Sequence, residues 1–267
     1  MGETMKANFG QTAKDYRKYR AGFPRSFFQT LKEKNLIEGS ETVIDLGTGT
    51  GTVARGLASL GCEVTGIDPA EALLVQAKEI AEAEGLKIHW HKGNAEKLDV
   101  SDNSIDVVAA GQCWHWFEPN AAIEEIRRVL KPNGLLIICH FDWLPFGGNV
   151  VEKTEALIRE MNPHWQMDGG VGVYPEWFRH LSSGSFTGIE SYSYDESVSY
   201  SREAWRGRIR ASAGVSGSLS EAEVAAFDQR HEEMLEQKFP IDPLRIPHRV
   251  FVVYGRKPSQ AVSGGNG

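Results

Sequence analysis

Cysteine is scarce in this chain: three residues in 267, Cys62, Cys113 and Cys139. No two stand at the short spacing of a metal knuckle or a redox pair, and an odd, sparse set builds no disulfide framework, so reduced thiols in a cytoplasmic protein are expected. Long apolar runs are also missing. The most apolar stretch, around Leu135–Cys139, falls far short of the ~20 residues a membrane helix needs. The N-terminus lacks the apolar core of a secretory signal, and Lys6 stands where a myristoylation signal wants a hydroxyl. A basic excess is absent as well. The net charge of −7 argues against a surface made for a phosphate backbone. Neither a nucleic acid nor a membrane is therefore expected as partner, and a monomer or homodimer is. There is no internal repeat.

What is present is a regular alternation. Apolar, β-branched runs at Thr42–Leu46, Glu63–Ile67, Lys87–His91, Ile105–Ala110 and Leu135–Phe141 read as strands. Between them Gly51–Leu60, Ala70–Glu84 and Ala121–Leu130 have helical spacing, and the last ends at the stop-and-turn Lys131-Pro132-Asn133-Gly134. Such alternation implies an α/β fold: a Rossmann-like, doubly wound, mostly parallel sheet with helices on both faces and ligands at the C-terminal strand ends. Beyond Phe141 the pattern loosens. A helix at Asn149–Met161, a Gly- and aromatic-rich stretch with Trp165, Tyr174, Trp177 and Phe178, a strand at Ile189–Ser199, helices at Ser201–Ser212 and Ser220–Gln237, and a last strand at Arg249–Tyr254 are expected. The resulting division is residues 1–40 as an N-terminal helical segment, with a helix at Ser26–Lys34, and 41–141 as a ligand-binding core. Residues 142–257 form a cap built from insertions plus the last strands, and 258–267 a disordered polar tail.

The most informative segment is Val43 to Gly51, an apolar strand that breaks into alternating glycines before a helix. Missing Cβ atoms let a ligand approach the backbone, and the N–H groups of the first helical turn face it. Two frames compete. A dinucleotide fingerprint fails when counted from Gly47, because Thr52 occupies its third position, and passes when counted from Gly49, with Ala54 there. Asp68, ending the next strand, suits a ribose in either frame. Asp45 tips the choice: a carboxylate two residues before the glycines is unfavourable beside a pyrophosphate and welcome beside an ammonium or sulfonium.

Asp45-Leu46-Gly47-Thr48-Gly49-Thr50-Gly51 resembles the first motif of class I S-adenosylmethionine-dependent methyltransferases. Gly93 to Leu98, Ser104 to Val108 and Arg128 to Gly134 are similar to that family's later segments, in the same order over about the first 140 residues. The branch looks like the type-11 methyltransferases, near the ubiquinone-biosynthesis and trans-aconitate groups. The resemblance implies a seven-stranded sheet and S-adenosylmethionine as cofactor. It implies donor contacts from Asp45, Gly47, Thr48 and Gly49, ribose contacts at Asp68 with Pro69, and adenine contacts at Asn94 and Ala95. Asn94 departs from the usual aspartate, though its amide oxygen still accepts a hydrogen bond. Gln112 would face the methionine end, and Tyr16 and Arg20 would belong to a helix folded over the cofactor.

The acceptor side is read from Gly111-Gln112-Cys113-Trp114-His115-Trp116-Phe117, just past the fourth strand. His115 is the candidate general base. Trp114 and Trp116 are candidate acceptor contacts, with core packing the expectation for at least one of the segment's aromatics. Trp143 borders the same rim. Of Arg206, Arg208 and Arg210, alternate spacing spreads the set over different helix faces, and Arg208 is the one assigned to a carboxylate-bearing acceptor. His140 and Asp142 lack a further ligand at convincing spacing, so no metal is expected. The expected activity is methyl transfer to a small, aromatic or carboxylate-bearing molecule. A nicotinamide-dependent oxidoreductase and a non-catalytic S-adenosylmethionine-binding protein are the alternatives.

Overall fold

The structure, a computed structural model, describes residues 22–259. Tyr16, Arg20 and most of the expected tail lie outside the described residues. Helix α1 (Arg25–Glu33) buries Phe27 and Leu31, one turn apart. Strand β1 (Thr42–Leu46) is buried from Val43 onward. It pairs in parallel with β2 (Glu63–Asp68) on one side and β4 (Ile105–Gly111) on the other. Between them run α2 (Thr52–Ser59), α3 (Glu71–Ala83) and β3 (His89–Lys92), and β3 pairs in parallel with β2. A short 3-10 turn (Trp114–Trp116) and α4 (Pro119–Val129) lead into β5 (Leu130–Trp143), parallel to β4. Then follow α5 (Val150–Met161), α6 (Glu176–Ser183), β6 (Thr187–Tyr200), α7 (Arg202–Arg210), α8 (Glu221–Lys238) and β7 (Leu244–Arg256).

The seven strands form one sheet in the order β3-β2-β1-β4-β5-β7-β6. This is the α/β, mostly parallel architecture expected, and it puts the reversal of strand order between β1 and β4. In such sheets ligands bind outside the C-terminal ends of the strands at this reversal. Two local details differ from expectation. Lys131-Pro132-Asn133-Gly134 does not interrupt the sheet but lies within β5, where the register against β4 shifts and Asn133 takes a left-handed φ of 64°. Helix α6 forms inside the Gly- and aromatic-rich stretch, because Trp177 and Leu181, four residues apart, both face the core.

The chain divides into two compact units. The first comprises residues 22–141, 173–194 and 250–259. Its core is the apolar face of β1, β4 and β5 with Ile123 and Ile126 of α4, Trp177 and Leu181 of α6 and Phe251 of β7. The second comprises residues 142–172 and 195–249. Trp205 and Ile209 of α7, Phe227 and Leu235 of α8, and Val151 and Ile158 of α5 fill its own core. Residues 173–194 thus pack with the strand-and-helix core rather than with the rest of the segment after Phe141.

Candidate active site

The loop after β1 is held by two carboxylates. Gly47, Gly49 and Gly51 all take left-handed backbone angles, φ 59°, 56° and 78°. Only glycine adopts these without strain. A Cβ on Gly47 would also meet Cys113 Cβ at 2.6 Å. Asp45 is fully buried beneath the loop. Its Oδ2 accepts from Thr48 Oγ1 at 2.6 Å and from the Ala54 N–H at 3.0 Å. Burial pushes its carboxyl up to about 7, against those two hydrogen bonds, and the neighbouring Asp68 charge adds to the rise. Asp68, at the end of β2, accepts from the Gly49 N–H through Oδ2 and from the Ala70 N–H through Oδ1, both at 2.8 Å. Burial raises its pKa as well.

This geometry tests the two cofactor readings. A pyrophosphate on a helix N-terminus needs free first-turn N–H groups and no competing anion. At α2 the Ala54 N–H is already bonded to a buried carboxylate of the protein itself. A cradle of left-handed glycines between two acids fits a ligand that carries positive charge and hydroxyls. The fit extends to Asp68, since each oxygen that accepts one N–H keeps a lone pair for a hydroxyl. Thr48 uses its hydroxyl on Asp45 and its N–H on the Ile67 carbonyl, at 3.0 Å. Pro69 is exposed at the turn after β2. Asn94 is exposed and bridges to Lys97, with Ala95 buried beside it.

The second rim is at the ends of β4 and β5. Gln112 leaves β4 with φ 59°, donates its side-chain N–H to the Phe141 carbonyl at 2.7 Å, and ties the two strand ends together. Cys113 Sγ donates to the Leu46 carbonyl at 3.0 Å, packing the glycine loop from below. Of the aromatics that follow, Trp114 is the core residue. It is buried, and its indole N–H donates to His180 Nδ1 at 3.0 Å. His115 and Trp116 are exposed, their rings 4.6 Å apart. The His140 ring lies 5.6 Å from His115, and Tyr174 Oη lies 3.3 Å from His140 Nδ1. Tyr174 stacks on Trp177 at 4.2 Å. Tyr174 and Trp177, expected in the cap, instead back the β4–β5 rim within the first unit. No local pattern links Tyr174 to His140, 34 residues away.

In the second unit, Trp143 donates its indole N–H to Glu155 Oε1 at 2.9 Å, and the Arg208 guanidinium lies over its ring at 4.7 Å. Glu155, which fixes the ring, carried no sequence signal beyond a helical position. Among the described residues, no three His, Cys, Asp or Glu side chains gather as a metal site, and no helix is long and apolar enough to cross a membrane.

Comparison with known proteins agrees with the geometry. The profile of the family described as methyltransferase domain matches residues 44–138, from β1 into β5. An uncharacterised methyltransferase of Schizosaccharomyces pombe is 28% identical over 202 residues, 73% of this chain and 76% of that protein. One from Mycobacterium bovis is 34% identical over 132 residues, 49% of this chain and 51% of its own length. A candidate methyltransferase from Bacillus halodurans superposes with a TM-score of 0.58 at 20% identity, covering 87% of this chain and 99% of that one, and so shares the fold. Residues 44–138 are thus similar to the methyltransferase-domain family, and the chain shares the fold of the solved relatives.

Proposed function

We propose that the protein transfers the methyl group of S-adenosylmethionine to a small-molecule acceptor, with the donor in the loop between β1 and α2. The observation that carries this reading is the pair of buried acids around left-handed glycines: Asp45 beneath the loop and Asp68 bonded to Gly49. Bound there, the cofactor supplies a methyl group already activated on a sulfonium. The protein's remaining tasks are alignment and exclusion of water, which together can supply several kcal/mol. Asp68 holds the ribose hydroxyls, the Gly47–Gly49 backbone lies along the cofactor, and Asp45 offers negative charge to its cationic end. Asn94 and Ala95 border the adenine, and Gln112 the methionine end.

His115 is the group placed to take the proton from an acceptor hydroxyl or amine. It is exposed, sits on the 3-10 turn directly after β4, and has His140 and Tyr174 behind it. Trp116, exposed beside it, offers an aromatic face to a sulfonium or a planar acceptor. The test is a screen of small hydroxy, amino and carboxylic acids with S-adenosylmethionine, read by mass spectrometry for methylated product. Product is expected with the wild type. His115→Ala is expected to keep S-adenosylhomocysteine affinity within about twofold and to lower turnover by ~100-fold or more. Unchanged turnover would remove His115 from the reaction, and no product from any acceptor class would leave the protein a cofactor binder.

A further inference from the structure

Strand β3 is a short edge of the sheet and carries one large apolar side chain, the half-buried Trp90. The register places Trp90 beside Gly66 of β2, and Gly66 beside Asp45 of β1. Residues paired across parallel strands share a face, so the three make one row with the glycine in the middle. The indole fills that gap. A Cβ on Gly66 would lie 2.5 Å from Trp90 Cζ3 and 3.0 Å from Thr48 Cγ2. The same ring reaches the glycine loop, where a Cβ on Gly51 would lie 2.6 Å from Trp90 Cη2. Gly51 needs glycine for its backbone angle in any case, but Gly66 has no left-handed φ. A glycine inside a strand weakens it unless something must approach closely. At Gly66 the approaching group is Trp90.

Three left-handed glycines leave the loop between β1 and α2 much conformational freedom to lose. Hydrogen bonds fix it at Thr48, whose N–H donates to the Ile67 carbonyl, at Gly49 on Asp68, and at Gly51 on the Thr48 carbonyl. The indole presses on this arrangement from the sheet edge, and a loop already in its binding shape costs a ligand less to engage. The ring also covers the row that ends in the buried Asp45. Thr48, the other neighbour of Gly66, donates its hydroxyl to Asp45 at 2.6 Å. Truncating Trp90 opens a space beside polar groups that water can enter, and water eases ionisation of a buried carboxyl. The titratable groups facing Asp45 are Asp68 of β2, whose charge raises its pKa, and Cys139 of β5, a thiol that burial keeps protonated. Neither supplies a cation. On β3 itself, His89 and His91 alternate to the other face, and Lys92 pairs with Glu71 of α3 at 4.0 Å.

We propose that Trp90 is a positioning residue of the donor site: its ring wedges over Gly66 and Gly51, holds the glycine loop in its binding shape and keeps water from Asp45. It acts through Thr48 and the loop backbone. Calling the site a donor site rests on the methyl-transfer reading above; the wedge itself does not.

Two measurements on the full chain test it. The Asp45 carboxyl carbon is titrated by NMR without ligand, assigned with Asp45→Asn, and S-adenosylmethionine affinity is measured by calorimetry across the same pH range. Trp90→Ala is expected to lower the Asp45 midpoint by about one pH unit or more, and Trp90→Phe, which keeps a ring over Gly66, by less than about half a unit. Trp90→Ala is also expected to weaken S-adenosylmethionine at least ~10-fold above pH 7 and to move its pH dependence downward with the Asp45 midpoint. Gly66→Ala, which drives the ring out, is expected to shift both readouts as Trp90→Ala does. Its cost in Tm is expected to shrink by about half or more when Trp90 is already alanine. Where Trp90→Ala does not fold, Trp90→Leu carries the same test with the same direction of shift. A variant that loses Tm but keeps the wild-type Asp45 midpoint and donor affinity would overturn the proposal, because Trp90 is then packing alone. Strictly additive costs of Gly66→Ala and Trp90→Ala would overturn it too. Failure of the wild type to bind S-adenosylmethionine would instead count against the donor reading, and the Asp45 midpoint and the additivity of Tm would then decide the wedge.

Discussion

Single carboxylates brace the glycine loop of this protein. Asp45 is buried and its pKa stands near 7, raised above the ordinary 3.8 by desolvation. A raised carboxyl stabilises the ligand-free fold fully below pH ~4, and that contribution is lost as pH rises through 7. A cationic ligand favours the ionised form, so its binding releases a proton below pH 7. S-adenosylmethionine affinity is therefore expected to weaken by up to ~10-fold per unit as pH falls from 7 to 5. Calorimetry in buffers of different ionisation enthalpy reads both the affinity and the proton released, and Asp45→Asn is expected to flatten the profile. A wild-type affinity independent of pH would mean that Asp45 serves only to brace Thr48 and Ala54. At this scale the sequence was informative about identity and less so about duty. Asp45, Gly47 and Asp68 could be named from their motif, but the hydrogen bonds from Thr48 and Ala54 to one oxygen of Asp45 could not.

At the scale of elements, the strand–loop–helix unit β1–α2 depends on backbone angles that no side chain tolerates well. Gly47→Ala would place a methyl 2.6 Å from Cys113 Cβ on a left-handed backbone. The conformation alone costs about 1–2 kcal/mol. Relief of the clash would move either the loop or Cys113, which donates to the Leu46 carbonyl. Gly47→Ala is thus expected to lower Tm and to weaken S-adenosylhomocysteine by more than tenfold, and a crystal structure of the variant would show the loop displaced. Full affinity in a stable variant would contradict the cradle as drawn. The first four strands and three helices of the alternating region were legible because their apolar periods are unambiguous and glycines mark their ends. Helix α6 was not, since eight residues holding one Trp–Leu pair lie among glycines and aromatics. The passage of β5 through Pro132 and Asn133 was hidden for a related reason: those residues normally signal a turn, and β5 continues through them although none of residues 131–134 pairs with β4.

At the scale of the whole molecule, the two units carry different sensitivities. The second unit is built around a polar chain in an apolar core. The Thr154 hydroxyl donates to the Val150 carbonyl at 2.8 Å, so its oxygen accepts from Trp205 Nε1–H at 3.1 Å and from His231 Nε2–H at 3.0 Å. Burial pushes the His231 pKa down to about 3. A depressed histidine contributes stability above its unfolded value near 6.5, and that contribution is lost as pH falls toward 3, at ~1.4 kcal/mol per pH unit. His231→Gln, whose amide N–H can replace Nε2–H, is expected to flatten the Tm profile between pH 6.5 and 4.5, and an unaltered slope would place the titration elsewhere. That chain had no sequence signature, because its members are 51 and 77 residues apart. The described residues of the proposed donor site lie in the first unit, where Asp68 accepts from the Gly49 N–H. The most direct test of that site is calorimetric titration of S-adenosylhomocysteine and of NADH into the wild type and into Asp68→Asn. Saturable S-adenosylhomocysteine binding that Asp68→Asn weakens at least tenfold, with no NADH binding, is the predicted result. Binding of NADH, or S-adenosylhomocysteine affinity untouched by the substitution, would contradict the account.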